Sequence, residues 1–320
     1  MIPLIKVEES GLHTTIQDSG RYGHQEYGIV PSGPMDPFAF KMANLLAGNK
    51  LNEAAIEMTM IGPSLTFLED TVMAVAGAHL SPTVDNKKIP MWTSVLIHKG
   101  QTLRFGKPKY GARAYLAIAG GMKTDKVLGS RSTHTKSRLG GIKGEVLETG
   151  DVVPGIQYDK SELYKWKGKS LAHSLRPVYQ SHHMVRVIPD VQETFFKKED
   201  VSTFYTHSYK ITPQSDRMGY RLTGRKIKRE VNEDILSEAV AFGSIQIPSD
   251  GNPIVLMADR QTTGGYPKIG TVIHHDLWKV AQLLPGQTLS FQREAVEEGH
   301  RWQHYEENLF KKLQMARQRI

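Results

Sequence analysis

The sequence predicts a mainly β fold of barrel or sandwich type, repeated in two related units. Two observations carry this. Short apolar or alternating runs are cut at close intervals by 29 glycines and 16 prolines in 320 residues, the rhythm of short strands and tight turns and not of βαβ units. A short motif also recurs: Lys99-Gly100-Gln101-Thr102-Leu103-Arg104-Phe105 is echoed by Pro285-Gly286-Gln287-Thr288-Leu289-Ser290-Phe291, with a looser variant at Leu147-Glu148-Thr149-Gly150-Asp151-Val152. Six-residue matches arise by chance, yet each copy reads as a tight turn into a strand.

The elements follow in order. Asp36 can cap a helix whose first residue is Pro37. Phe38, Met42, Leu45 and Leu46 then fall on one face, and Gly48 ends it. Residues 55–60 alternate apolar and polar after Ala55, as a half-buried strand does. Residues 71–76, 94–98, 102–105 and 114–119 are further strands. Residues 253–258 form an apolar run bounded by turn residues, which predicts a buried core strand. A second helix spans 276–284, with Leu277, Val280, Ala281 and Leu284 inward, and Pro285-Gly286 stops it. Residues 293–320 predict a C-terminal helix with Trp302, Tyr305, Leu309, Leu313 and Ala316 on one stripe. That stripe suits packing on the second unit or docking of a partner.

Composition bounds the function. The length suits two ordinary domains. No apolar run approaches the ~20 residues that span a bilayer. The first residues lack the basic segment and apolar core of a signal peptide, so the expected location is cytoplasmic, with no membrane partner. The chain has no cysteine, which excludes disulfides, thiolate metal sites and a cysteine nucleophile. The net charge of +8 would suit nucleic acid, but the basic residues are scattered and lie in no nucleic-acid motif. A solvated basic face is expected, with an anionic substrate or acidic partner as the intermediate possibility.

Common catalytic motifs are missing. There is no Walker loop, no G-x-G-x-x-G and no G-x-S-x-G elbow. A nucleotide site would need non-standard parts or another chain. The pairs His182-His183 and His274-His275 would point to opposite faces of a strand, and His300 and His304 have no evident third ligand. No metal site is predicted within the chain. Nor is there an Ala-Met-Lys-Met context for biotin attachment, so the chain is not a biotin carrier and carries no covalent cofactor.

The densest polar cluster follows the 253–258 run: Asp259, Arg260, Gln261, Thr262, Thr263, Gly264 and Gly265, then Tyr266. Asp can accept a proton or orient water. Arg can hold a carboxylate or phosphate with two prongs, and Gln can read an amide. Thr hydroxyls and glycine amides can stabilise an oxyanion. A turn fixed by an internal Asp–Arg pair would leave the same sequence. A second candidate is Asp216, Arg217 and Arg221 around Gly219, which could recognise an anion or be a surface loop. Gln17, Arg21 and Ser32 could line a groove or a subunit interface, with a structural role as the alternative.

The chain also resembles a known family. Thr15 to Asn49 carries a "QD-GR-G … SG-MD … AN-L-GN" pattern, and Gly120-Gly121, Leu128-Gly129-Ser130, Ser132-Thr133, Gly140-Gly141, Gly150-Asp151 and the 241–272 stretch follow in the same order. This is similar to the allophanate-hydrolase-subunit-2, or KipA-like, proteins, and most of all to the C subunits of bacterial 5-oxoprolinases. The resemblance covers about residues 5–292. It implies two cyclophilin-like β-barrels: 1–156, a linker 157–182, a second barrel 183–293, and a C-terminal helix 294–320. It implies a cytoplasmic subunit that opens 5-oxo-L-proline to L-glutamate with ATP and Mg²⁺, active only in complex with the A and KipI-like B subunits. It places catalysis at Asp259, Arg260 and Gln261. Substrate or nucleotide binding would then fall to Asp216, Arg217, Arg221, Gln246, Thr262, Thr263, Gly264, Gly265 and Tyr266. Two other roles fit the same family: a urea-carboxylase-like carboxyltransferase component, and a non-catalytic KipA-type antagonist of a KipI-like kinase inhibitor.

Overall fold

The computed structural model describes residues 1–230 and 235–318. Two compact units emerge, Met1–Tyr22 with Pro31–Tyr179, and Gly23–Val30 with the chain from Gln180 onward. The expected mainly β architecture is observed in both.

The first unit contains β1 (Ile2–Glu9), β2 (His13–Gln17), β3 (Ala55–Thr59), β4 (Ser64–Phe67), β5 (Thr71–His79), β6 (Thr83–Val84), β7 (Lys87–Lys88), β8 (Ser94–Ile97), β9 (Thr102–Arg104), β10 (Tyr110–Ile118) and β11 (Val152–Gly155). One sheet runs β11-β1-β4-β9-β6-β7 and the other β2-β3-β10-β5-β8. The core lies along β5 and β10, both buried almost throughout. Helix α1 (Pro37–Leu46) packs on them. It starts as predicted: Asp36 Oδ1 accepts the Ala39 N–H at 2.9 Å, and Pro37 follows the cap. The alternation in β3 does not bring Glu57 to solvent. Its carboxylate is buried and accepts the Tyr115 hydroxyl (2.7 Å) and the Met35 N–H (2.9 Å), because a buried acid needs such donors.

Residues 157–179 fold onto the first unit, whose strands form two sheets and not the single closed barrel expected. Helix α2 (Lys160–Trp166) buries Leu163 against Val72 and Ala119, flanked by Tyr158 and Trp166.

The second unit contains β12 (His182–Pro189), α3 (Lys198–Thr206), β13 (Ser208–Ile211), β14 (Gly219–Thr223), β15 (Glu238–Ala239), β16 (Ser244–Gln246), β17 (Ile254–Leu256), β18 (Thr263–Gly264), β19 (Lys268–Val272), α4 (Leu277–Ala281), β20 (Thr288–Arg293) and α5 (Val296–Gln318). Seven strands close into a barrel in the order β12-β19-β16-β17-β14-β13-β20. The seam is a parallel pairing of β12 with β20. Tyr209, Tyr220, Ile245, Val255 and Phe291 are buried, and Phe204 of α3 stacks on Phe291 at 4.3 Å. Helix α5 is an element of this unit, with Phe310 buried. Trp302 is sandwiched by the His275 ring at 4.9 Å and the Arg186 guanidinium at 4.1 Å. The helix packs on its own unit through Trp302, Glu306 and Phe310, while Tyr305 and Ala316 of the expected stripe are exposed.

The repeated motif is a repeated structure. In each copy the residue after the glycine bonds back to the N–H three residues earlier: Gln101 Oε1 to His98, Gln287 Oε1 to Leu284, Asp151 Oδ2 to Glu148, all at 2.8 Å. In each, the glycine takes a positive φ (+86°, +90°, +96°). In each, the glycine and the next residue exchange two bonds with one neighbouring strand residue, Phe67, Ile211 or Val7. A left-handed glycine and a side-chain cap are what such a turn requires.

Candidate functional site

The strand predicted to be wholly buried has two different faces. Along β17, Val255 points into the barrel while Ile254 and Leu256 are half exposed. Its neighbours follow the same alternation. In register, Gly219 faces Leu256, Arg221 faces Ile254, and Gln246 faces Ile254, while Tyr220 and Ile245 are buried. The outer face of β14, β17 and β16 is therefore the floor of a cleft of about 290 Å³.

A small flap roofs it. Strands β15 and β18 pair antiparallel, and Val240 donates its N–H to Thr262 O at 3.1 Å. Val240, Gln261, Thr263 and Tyr266 line the cleft from this side, with Asp216 and Met218 at the end of the floor. The flap is pinned to the barrel through Glu238, whose carboxylate accepts from Lys268 Nζ and Gln192 Nε2. The Lys268 hydrogen bond holds the Glu238 carboxyl below its ordinary value. Asp190 approaches the same ammonium at 3.9 Å.

Gly264 has a steric reason to be glycine. A Cβ there would stand 2.4 Å from Gln246 Nε2. The Gln246 amide fills that space and donates to Tyr266 O at 3.1 Å, which uses one of its two donors. Asp216 Oδ1 accepts the Met218 and Gly219 N–H groups at 2.8 and 3.1 Å, shaping the turn before the floor. A second cleft of about 360 Å³ adjoins the first and shares Arg221, Ile254 and Tyr266 with it.

The structure gathers Asp216, Arg221, Gln246, Gln261, Thr263 and Tyr266 in one place. It gives the other candidates different work. Asp259 is buried in a two-pronged pair with Arg217, at 2.8 and 2.9 Å. Arg260 is buried too; its Nε donates to Val240 O at 3.2 Å and its Nη1 reaches Met257 O at 3.4 Å, with the guanidinium 5.7 Å from the Phe242 ring. The Asp259–Arg260 pair envisaged for the turn is replaced by Asp259–Arg217. Thr262 and Gly265 contribute backbone carbonyls that accept from Val240 and Ile235. Met218, Gly219, Val240, Ile254 and Leu256 were missed as lining residues. The period of two along 219–221 and 254–256 was the signal that could have found them.

Residues 27–293 match the family model of the carboxyltransferase domain, subdomains A and B. The chain belongs to this carboxyltransferase family. It is 35% identical to the C subunit of 5-oxoprolinase from Escherichia coli over 313 residues, 97% of each chain. It is 35% identical to the corresponding C subunit from Haemophilus influenzae over 298 residues, 93% of each. The urea amidolyase of Saccharomyces cerevisiae is 34% identical over 301 residues, covering 90% of this chain but 16% of that much longer protein. The Kluyveromyces lactis urea carboxylase structure superposes with a TM-score of 0.92 at 30% identity, over 97% of this chain and 29% of that one.

In this carboxyltransferase-domain chain the N-terminal motif residues are internal. Gln17, Arg21 and Ser32 are all buried, which removes them from any groove or subunit surface. Gln17 bonds Thr15 Oγ1, Thr133 O and the Gly33 N–H. Arg21 donates to Val127 O and Ser132 O at 2.9 and 2.8 Å. Asp18 Oδ1 accepts the Ser130 and Ser132 hydroxyls at 2.5 and 2.7 Å. These motifs clamp residues 127–133 to the end of β2. Among the described residues, no group of three or more histidines or acids is placed to hold a metal ion, and no helix is long and apolar enough to cross a membrane.

Proposed function

We propose that this chain is the C subunit of an ATP-dependent 5-oxoprolinase and that the cleft under the flap holds the lactam. One observation carries the reading. A guanidinium (Arg221), two carboxamides (Gln246, Gln261) and a hydroxyl (Thr263) converge on a cavity of small-molecule size. 5-Oxoproline is a cyclic amide with a carboxylate. Arg221 supplies a two-pronged partner for the carboxylate. A carboxamide matches the lactam, offering an acceptor to its N–H and a donor to its carbonyl. Donors aimed at that carbonyl would stabilise the charge that develops when the amide is activated. Two relatives named as C subunits of 5-oxoprolinases, matched over nearly their full length, support the assignment.

ATP would supply a phosphoryl group to the lactam oxygen, which makes the adjacent carbonyl carbon the target of water and lets the ring C–N bond open. Among the described residues the cleft offers one guanidinium and one carboxylate, a set that fits an amide acid. That set does not fit a magnesium-bound polyphosphate, and the residues lining the cleft are given no role toward the nucleotide. We assign the nucleotide to surface supplied by the A and KipI-like B subunits, in the cytoplasm. The test is glutamate release from 5-oxoproline and ATP. Turnover is expected with both partner subunits present and not with this chain alone. Robust turnover by the chain alone would refute the partnership.

A carboxyltransferase role is the second reading, supported by the likeness to the urea amidolyase and urea carboxylase. There the same carboxamides would orient an amide acceptor. Urea-dependent loss of carboxyl from carboxybiotin, with no glutamate release, would favour it.

A further inference from the structure

A separate cleft of about 480 Å³ opens in the first unit. One wall is a series of rings. His79 and Tyr110 are cross-strand partners on β5 and β10, in an edge-on contact 5.4 Å between centroids. Tyr179 lies 6.2 Å beyond Tyr110. The Tyr179 hydroxyl is taken up by Asp36 Oδ2 at 3.4 Å.

Trp92 forms another part of the lining. Its φ is +58°, a left-handed backbone that a bulky residue adopts at a cost. Two bonds hold it there: its N–H to Val75 O (2.8 Å), and the Leu171 N–H to its carbonyl (3.0 Å). The surrounding structure thus fixes an indole where local preference opposes it.

The edge is cationic. Arg176 is anchored by Nε and Nη2 on Leu171 O, at 3.0 and 2.8 Å, and His173 stands near it in the lining. Among the described residues no acid lines this cleft, whereas Asp216 and Asp250 line the two clefts of the second unit. His79 Nδ1 accepts the Ser81 N–H at 3.1 Å, which leaves the proton of the neutral ring on Nε2. Burial pushes the His79 pKa down and keeps that form.

We propose that this cleft binds a planar aromatic small molecule bearing a negative group. Tyr110 is the ring most open to this cleft, with Trp92 and Tyr179 buried behind it, and an exposed aromatic ring suits a planar ligand that stacks on it. A fixed guanidinium beside them selects an anion. This inference stands on the first unit alone and does not depend on the oxoprolinase reading.

The probes are AMP, adenosine and indole-3-carboxylate, titrated calorimetrically into the purified chain. At least one of the two anions is expected to saturate a single site, and adenosine to bind about tenfold or more weaker than AMP. Tyr110→Ala and Arg176→Ala should each weaken the bound anion by about tenfold without changing the melting temperature, because Tyr110 is 44% exposed and neither truncation opens the core. Arg221→Ala, in the other unit, should bind as the parent does. Saturation by AMP alone marks a nucleotide ligand, and saturation by indole-3-carboxylate marks charge and planarity as sufficient. The proposal is overturned if neither anion saturates, if adenosine binds as well as AMP, or if both first-unit variants bind like the parent.

Discussion

Asp259 and Arg217 meet across 42 residues of chain in a two-pronged ion pair, Nε to Oδ2 at 2.8 Å and Nη2 to Oδ1 at 2.9 Å. Both side chains are under 10% exposed. The pair ties the loop before β14 to the loop after β17, and so sets the end of the cleft floor. Removing one partner strands a buried charge, which costs about 3–5 kcal/mol. Asp259→Ala and Arg217→Ala are each expected to lower denaturant stability by that order. The double change to Leu and Met should recover much of it. Equal stability of the single variants and the parent would contradict this placement.

Activity and stability should separate at adjacent residues. Gln261 is exposed and lines the cleft, while Arg260 is buried on backbone carbonyls. Gln261→Ala and Arg221→Ala are expected to cut turnover of the assembled enzyme by at least about tenfold, the effect of ~1.4 kcal/mol at the transition state, with melting unchanged. Arg260→Ala should lower the melting temperature first. Turnover and thermal melting on all three variants check this.

Gly264→Ala tests the flap. The added methyl meets the far end of Gln246, a side chain that can swing away, so folding should survive. Displacing the amide should raise KM more than it lowers the melting temperature. If KM does not move, Gln246 does not contact substrate.

His183 predicts a pH dependence. It is buried, accepts the Gln180 N–H at 3.2 Å and lies edge-on to Trp278. Burial, then Lys279 and His182, depress its pKa from 6.5 to about 4. Between these values the unfolded chain takes up a proton that the native chain refuses. The contribution is therefore complete above about pH 6.5 and is lost as pH falls toward 4, by about 3 kcal/mol at most. His183→Gln keeps an acceptor and should flatten stability measured from pH 6.5 to 4.5. An unchanged slope would exclude His183 as its source.

Local signals were legible and distant partners were not. The cap at Asp36, the Gly-Gln turns and the strands at 71–76 and 94–98 depend on residues within a few positions of one another, and the structure keeps them. The gathering of Arg221, Gln246, Gln261 and Tyr266 was anticipated as a set of residue types, without its geometry. The partner of Asp259 was hidden because Arg260, next in sequence, offers the same charge as Arg217. The apolar run at 253–258 hid its two faces because Ile254 and Leu256 are as apolar as Val255; a ligand floor and a core wall can use the same side chains. Residues 157–182 read as a linker because Lys160, Lys165, Lys167 and Lys169 lie among the apolar anchors Tyr158, Leu163, Trp166, Leu171 and Tyr179, whose spacing gives no strand or helix period.

The alternation along β14 and β17 has a corollary for redesign. Tyr220 and Val255 answer to the barrel's interior, while Gly219, Arg221, Ile254 and Leu256 answer to whatever occupies the cleft. Adjacent positions of the same strand therefore meet separate physical demands. Changing every second residue of two strands would reshape the floor of the cleft and leave the scaffold's hydrophobic interior as it is.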